Sequence, residues 1–359
     1  MSETKQIVFS EIQRPFIVSG PCSAETEEQV LQTAEELKSL GGINLFRAGI
    51  WKPRTRPDSF EGVGAIGLPW LQKVKEQFGF KVTTEVAKAK HVELCLEHGI
   101  DVLWIGARST VNPFVVQEIA EALKGTDIPV MIKNPINPDL ALWLGAVERL
   151  QKMGLTNLAV IHRGFSNLSE NYYRNTPQWQ IAIEFISHYP EIPIICDPSH
   201  ICGRRDILFD VSQKALDLGY HGLMIESHID PNNAWSDSAQ QITPDQLKIF
   251  LNDLVYREIH ANDSVVQNEL VRLRDKIDSI DDSIIQLIVD RMLIAKDIGI
   301  YKKEHNMTIF QAKRWAEILK RMHILAEKGG LSDSFITEYI KAIHDESIDQ
   351  QERVMKDDH

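Results

Sequence analysis

Cysteine is scarce in this chain: 4 in 359 residues, at positions 22, 95, 196 and 202. Their spacing matches neither a zinc knuckle nor a secreted disulfide framework, so neither device is expected to hold the fold. No apolar run approaches the roughly 20 residues needed to span a bilayer, and the opening MSETKQIVFSEIQ has no signal-peptide core. Positive charge is in deficit too. Against 51 Asp and Glu stand only 39 Lys and Arg, a net charge of -12, which argues against partners such as nucleic acid or an anionic membrane. A cytoplasmic protein with reduced thiols is the expectation. Nor does a GxGxxG turn follow the first strand-like run, as an open dinucleotide-binding sheet would normally require.

What the chain does contain is alternation. Eight short β-rich runs recur between Phe16 and Glu226: FIVSG, INLFRAG, KVTTEV, VLWIGA, PVMIKN, LAVIH, IPIICD and GLMIES. Helical stretches such as ETEEQVLQTAEELKSLG and AKHVELCLEHG lie between them, often ending in Gly. Eight apolar runs in such units predict an α/β fold, a closed (β/α)8 TIM barrel, with an open doubly wound sheet as the alternative. Polar residues gather at the same end of these runs: Cys22, Arg47 and Lys52, Arg108, Lys133, Arg163, His200 and Glu226. In a barrel that end is one mouth.

After about Tyr256 the β pattern stops. The expected division is a barrel over 1–256, a linker over 257–266 and an all-α domain over 267–359. One long helix is predicted over 267–304, with Leu270, Leu273, Ile277, Ile280, Ile284, Leu287, Ile294, Ile298 and Tyr301 on a seam of ~3.5-residue period. Two more helices are predicted over 309–328 and 332–354, the last with Ser332 and Asp333 as capping candidates. A three-helix unit of this shape buries little alone, so a homodimer or higher homo-oligomer is the expected completion.

Cys22, His200, Glu226 and Asp237 offer a thiolate, an imidazole and two carboxylates, a mixed set suited to one divalent transition metal such as Mn, Fe, Co or Zn. Singly each has an ordinary explanation: a core cysteine, a structural histidine, a helix-capping Asp237. Placed together on barrel loops they point to a metal. Arg47, Lys52, Arg108, Lys133 and Arg163 crowd the same mouth with few carboxylates to balance them, which suits phosphate and carboxylate ligands. KPRTRP at 52–57 adds a second anion site through Arg54 and Thr55. Small phosphorylated substrates are the expected ligands.

GPCS at 20–23, FRAGIWKPRTRP at 46–57, IGAR at 105–108, IK at 132–133, HRG at 162–164, DPSH at 197–200 and IESHIDPNNAWSD at 225–237 resemble the 3-deoxy-D-arabino-heptulosonate 7-phosphate (DAHP) synthases. The likeness is to the short type I form, related to the 3-deoxy-octulosonate 8-phosphate synthases, and covers nearly all of residues 14–256. It implies Cys22, His200, Glu226 and Asp237 as metal ligands and Arg47, Lys52, Arg108, Lys133 and Arg163 as the phosphoenolpyruvate site. Arg54, Thr55 and Asp197 would take erythrose 4-phosphate, and Lys52 would handle a proton. The octulosonate synthases remain the competing reading. They carry a KANRSS-like segment where this chain has KPRTRP, which favours the four-carbon aldehyde.

In the helical region, Arg291 interrupts the seam at a core position. Lys302 follows 11 residues on, three turns along the same face, with Cα atoms about 16 Å apart. Arg274 points a quarter-turn away and reaches that pocket only from another chain. A snorkelling edge arginine is the plainer alternative for Arg291. LRDKIDSIDDSIIQLIVDRMLIAKDIGIYKK and FITEYIKAIHDESIDQQ resemble the all-helical chorismate mutases, intertwined dimers. The resemblance implies Arg274 (from the partner), Arg291, Lys302, Gln311, Arg314, Ser347 and Gln351 as the chorismate site, Arg291 and Lys302 being catalytic, with no cofactor. Gln311 stands where the family commonly has Asp, and Trp315 where it commonly has Glu. A dimerisation and feedback module that senses prephenate or chorismate is therefore the alternative, and the short segment ahead of the first strand leaves feedback control to this region.

Overall fold

The computed structural model describes residues 6–53, 60–167, 172–258 and 264–356. By its internal contacts the chain divides into two compact units, Met1–Ile259 and His260–His359.

In the first unit, eight parallel strands close on themselves in sequence order. They are β1 (Phe16–Gly20), β2 (Leu45–Arg47), β3 (Val82–Val86), β4 (Val102–Ile105), β5 (Val130–Lys133), β6 (Leu158–His162), β7 (Ile194–Cys196) and β8 (Gly222–Glu226). Closure is made by β1 against β8, in register from Phe16 opposite Gly222 to Gly20 opposite Glu226. The open-sheet alternative is thereby excluded. Around the barrel run α1 (Glu27–Leu40), α2 (Gly67–Phe78), α3 (Ala89–Glu97), α4 (Ala107–Thr110), α5 (Pro113–Leu123), α6 (Leu140–Lys152), α7 (Trp179–His188), α8 (Pro198–Cys202), α9 (Leu208–Asp217) and α10 (Pro244–Asp253).

Every strand residue is buried because both faces are covered, and most of them are apolar, β3 with Thr83, Thr84 and Glu85 being the main exception. Val18, Leu45, Trp104, Met131, Ile161, Ile195 and Met224 fill the barrel interior. Their neighbours Ile17, Phe46, Leu103, Ile132, Val160, Ile194 and Leu223 pack outward under the helices. Helix starts follow local chemistry. Thr26, Asn112 and Asp139 each accept a backbone N–H at the first turn of α1, α5 and α6, and Thr243 with Gln246 forms a capping box on α10.

Closure also explains a glycine. A Cβ at Gly222 would lie 2.0 Å from the Phe16 carbonyl oxygen across the β1–β8 seam. Relief would require two paired strands to separate. Gly222→Ala is expected to cost at least about 3 kcal/mol, read as a fall of several degrees in melting temperature.

The second unit has three helices, α11 (Ser264–Glu304), α12 (Ala312–Lys328) and α13 (Asp333–Lys356). Ser332 rather than Asp333 caps the last, accepting from the Phe335 N–H at 3.3 Å. The only core cluster among the described residues of this unit is small: Ala326, Ile336 and Ile340, with Trp315, Ile318, Leu319, Met322 and Tyr339 against it. The seam of α11 stays open, with Ile280 59%, Leu287 67% and Ile294 61% exposed. Gly299 lets α13 approach: a Cβ there would sit 3.1 Å from Gln351 Cα, and Gln351 comes within reach of Lys302.

Candidate active sites

The strand ends deliver their polar residues to the barrel's C-terminal mouth. Arg47, the last residue of β2, is fully buried. Its Nη2 lies 3.2 Å from Glu226 Oε1 and donates to the Cys22 carbonyl at 3.1 Å, while its Nε and Nη1 are buried without hydrogen-bond partners among the described residues. Unmet buried donors are rare and costly, and at a cleft they mark where a ligand's acceptors belong. Beneath the cations lies Trp104 of β4, with the Arg47 guanidinium 5.0 Å and the Lys133 ammonium 5.8 Å from its ring. Glu85 of β3 holds the indole N–H at 3.1 Å.

Lys133 donates to Asp197 Oδ2 at 2.8 Å, and Asp197 Oδ1 lies 3.0 Å from His200 Nδ1. Burial would raise the Asp197 carboxyl, but His200, Lys133 and Arg47 outweigh it and hold it well below the usual carboxylate range. Burial lowers His200, against the pull of Asp197, so its imidazole is neutral near pH 7 with Nδ1 turned to Asp197. Arg163 donates to Asn175 Oδ1 at 2.6 Å. Burial pushes this guanidinium down to about 10, against Asp197, and the neighbouring Arg174 and Arg108 add to the push. Such a cluster is short of negative charge. Arg108 is exposed. Arg54 and Thr55 lie outside the described residues.

The four expected metal ligands converge in pairs. Cys22 Sγ sits 3.2 Å from Asp237 Oδ2, and His200 Nδ1 lies 3.7 Å from Glu226 Oε1. Among the described residues no three metal-type side chains are already drawn to ion-holding distance. The donors nevertheless fit a transition metal. Glu226 Oε1 is buried and, among the described residues, has ion-pair neighbours but no hydrogen bond, and only Nδ1 of His200 is committed, to Asp197, the usual carboxylate–imidazole support of a metal ligand. Burial first, then Glu226, push the Cys22 thiol up to about 12, so loading an ion there displaces a proton. Lys52 Nζ lies 3.0 Å from Cys22 Sγ. Burial lowers this ammonium, but Cys22 and then Glu226 pull it up on balance.

Several working residues have no strong sequence signal. Arg174 donates to Asp237 Oδ1 at 2.9 Å and to Gln240 Oε1 at 2.7 Å. Gln240 in turn donates to Glu226 Oε2 at 2.7 Å, so one arginine links both carboxylate ligands. Asp237 does not cap with its side chain and has a φ of 48°, a conformation favouring short polar residues. Arg205 ties down this loop through Gln241 O and Ser238 O. Arg204 pairs with Asp206 at the surface.

The helical unit holds a cavity of about 390 Å³ lined by Arg291, Lys302, Gln311, Arg314, Ser347 and Gln351. These are the chorismate residues expected from sequence, all but Arg274, which is exposed on α11. Arg291 donates to Ser347, and Lys302 donates to Gln351 Oε1 at 3.0 Å. Burial lowers both cations from their ordinary values. Trp315 and His344 line the same space. Arg291 is therefore a cavity wall, not a snorkelling edge residue.

A closed (β/α)8 barrel with a cationic, metal-competent mouth, followed by a helical unit with its own cationic cavity, defines an enzyme of small anionic substrates with two candidate sites. Residues 1–259 match the DAHP synthetase I family and residues 273–352 match chorismate mutase type II. The chain belongs to the DAHP synthetase I family and carries a chorismate mutase unit after its barrel. The phospho-2-dehydro-3-deoxyheptonate aldolase of Thermotoga maritima is 32% identical over 238 residues, 66% of this chain and 68% of that one. The 2-dehydro-3-deoxyphosphooctonate aldolase of Helicobacter pylori is 27% identical over 278 residues, 67% of this chain and 95% of that one. A crystal structure of the Thermotoga maritima DAHP synthase superposes with a TM-score of 0.60 at 30% identity, covering 67% of each chain. A truncated form of 3-deoxy-D-arabino-heptulosonate 7-phosphate synthase from the same organism gives 0.58 at 28%, covering 67% of this chain and 84% of that one.

Proposed function

We propose that the barrel mouth condenses phosphoenolpyruvate with erythrose 4-phosphate, giving DAHP and phosphate, and that the helical cavity rearranges chorismate to prephenate. For the barrel, the carrying observation is Arg47: a buried guanidinium whose Nε and Nη1 have no hydrogen-bond partner among the described residues and which shares the Trp104 ring with Lys133. Phosphoenolpyruvate brings one phosphate and one carboxylate for these donors, and Arg108 at the rim completes the anion site. In this reading Arg54, Thr55 and Asp197 would bind the aldehyde substrate. Cys22, His200, Glu226 and Asp237 would hold a divalent Mn, Fe, Co or Zn ion, which when bound polarises an aldehyde oxygen. Lys52 holds a proton at Nζ between the two substrate sites. Overall, the enol carbon bonds to the aldehyde carbon, water adds at the former enol C2, and phosphate leaves. With both aldehydes offered, the chain is expected to turn over erythrose 4-phosphate in preference to arabinose 5-phosphate. Preference for the five-carbon aldehyde would favour the octulosonate reading instead.

In the helical cavity no nucleophile is needed. Arg291, Lys302 and Arg314 stabilise the polarised transition state of a dicarboxylate, while Gln311, Ser347 and Gln351 fix its folded conformer. Arg274 lies 17 residues from Arg291 on one helix, about 25 Å along the axis, so it serves the partner's cavity in a homodimer sealed by the open seam of α11. Ile280→Asp together with Leu287→Asp is expected to give monomers by sedimentation and to abolish prephenate formation. Trp315, which offers no acceptor, keeps a sensing role in view. Prephenate slowing DAHP formation by the intact chain would support it, and an unchanged rate would remove it.

A further inference from the structure

Chorismate carries two carboxylates, an ether oxygen and one ring hydroxyl. The cations of the cavity, with Gln351, answer the first three. The proton of the hydroxyl needs a neutral acceptor, and Trp315, which lines the cavity with Arg314, has only a donor in its indole.

His344 stands against that wall. It is on α13, three residues before Ser347, and lines the cavity. Its ring stacks on Trp315 with centroids 4.1 Å apart at 17°, and Phe310 packs edge-on at 6.0 Å. Its Nε2 is buried with no hydrogen-bond partner among the described residues. Burial lowers its pKa, Asp345 on its own helix opposes this, and Arg291 and Lys302 of α11 reinforce it. Arg314 and Gln311 line the cavity from the α12 side. The imidazole is thus neutral near pH 7, with one N–H and one lone pair.

We propose that an imidazole nitrogen of His344 accepts the hydrogen bond donated by the substrate's ring hydroxyl, a role closed to the Trp315 indole. This rests on the mutase reading above. Nε2, the nitrogen without a partner among the described residues, is the one left for the hydroxyl. His344 is then a residue of specificity, set by shape through Trp315 and by polarity through one nitrogen.

The test uses the full chain, with chorismate and with its analogue lacking the ring hydroxyl. H344F keeps a flat ring on Trp315 but no nitrogen, and H344Q restores a polar group. H344F is expected to lose about 10- to 100-fold in kcat/KM on chorismate, and H344Q to recover part of it. On the deoxy analogue, wild type and H344F should turn over alike. The wild-type rate should also fall on the acid side of the ordinary histidine range, and this limb should vanish in H344F. Equal losses on both substrates, or none on chorismate, would overturn the proposal. A wild-type chain that forms no prephenate would overturn the mutase reading itself, and this inference with it.

Discussion

Lys52→Met lowers kcat/KM for DAHP formation by about 1,000-fold or more. The ammonium sits 3.0 Å from Cys22 Sγ and is placed here to hold the proton that moves as the two substrates join. General acid–base groups contribute about 100- to 10,000-fold, and in the proposed site Lys52 would also supply one of the charges that bind phosphoenolpyruvate. Methionine keeps most of the side chain's volume, so the barrel should still fold. Two readouts separate chemistry from stability: melting temperature, expected within a few degrees of wild type, and prephenate formation by the helical unit. A loss below tenfold would remove Lys52 from the proton-handling role.

The second large effect belongs to Lys302→Met, expected to slow prephenate formation by about 100- to 1,000-fold, the scale seen when one preorganised donor to a developing charge is deleted. Lys302 is held by Gln351 Oε1 and the Ile309 carbonyl, so its ammonium is already aimed before substrate arrives. The pericyclic step has no covalent catalysis to fall back on. Helix content by circular dichroism should be unchanged, which makes the loss kinetic. Retention of more than a third of the wild-type rate would mean that the cavity binds chorismate without catalysing its rearrangement.

Much of this was legible in the sequence because the barrel writes itself into periodicity. Most strands are rich in apolar residues, polar side chains stand at or just after their C-terminal ends, and a helix follows, so eight repeats locate one mouth. Arg47, Lys133 and Glu226 were found as strand-end residues for that reason. What escaped was pairing across loops. Trp104 reads as one more apolar residue in VLWIGA, yet its ring underlies two cations. Arg174 and Gln240 sit in irregular segments whose contacts depend on how β6 and β8 loops meet. Cys196 and Cys202 both belong to the outer apolar cluster, Cys202 at the end of α8 with its thiol toward the Ile207 carbonyl. In the helical unit the interrupted seam singled out Arg291 and Lys302, the family resemblance implied the others, and six of the seven line the cavity. His344 gave no signal, since a histidine at helical spacing is ordinary until its stacking partner is known.

The most direct measurement follows phosphate release from phosphoenolpyruvate and erythrose 4-phosphate by the intact chain, before and after thorough chelation, then with divalent Mn, Fe, Co or Zn added back. The account predicts one phosphate per DAHP formed, loss of nearly all activity on metal removal, and recovery with at least one of the ions. A rate that survives complete metal removal would contradict the site formed by Cys22, His200, Glu226 and Asp237.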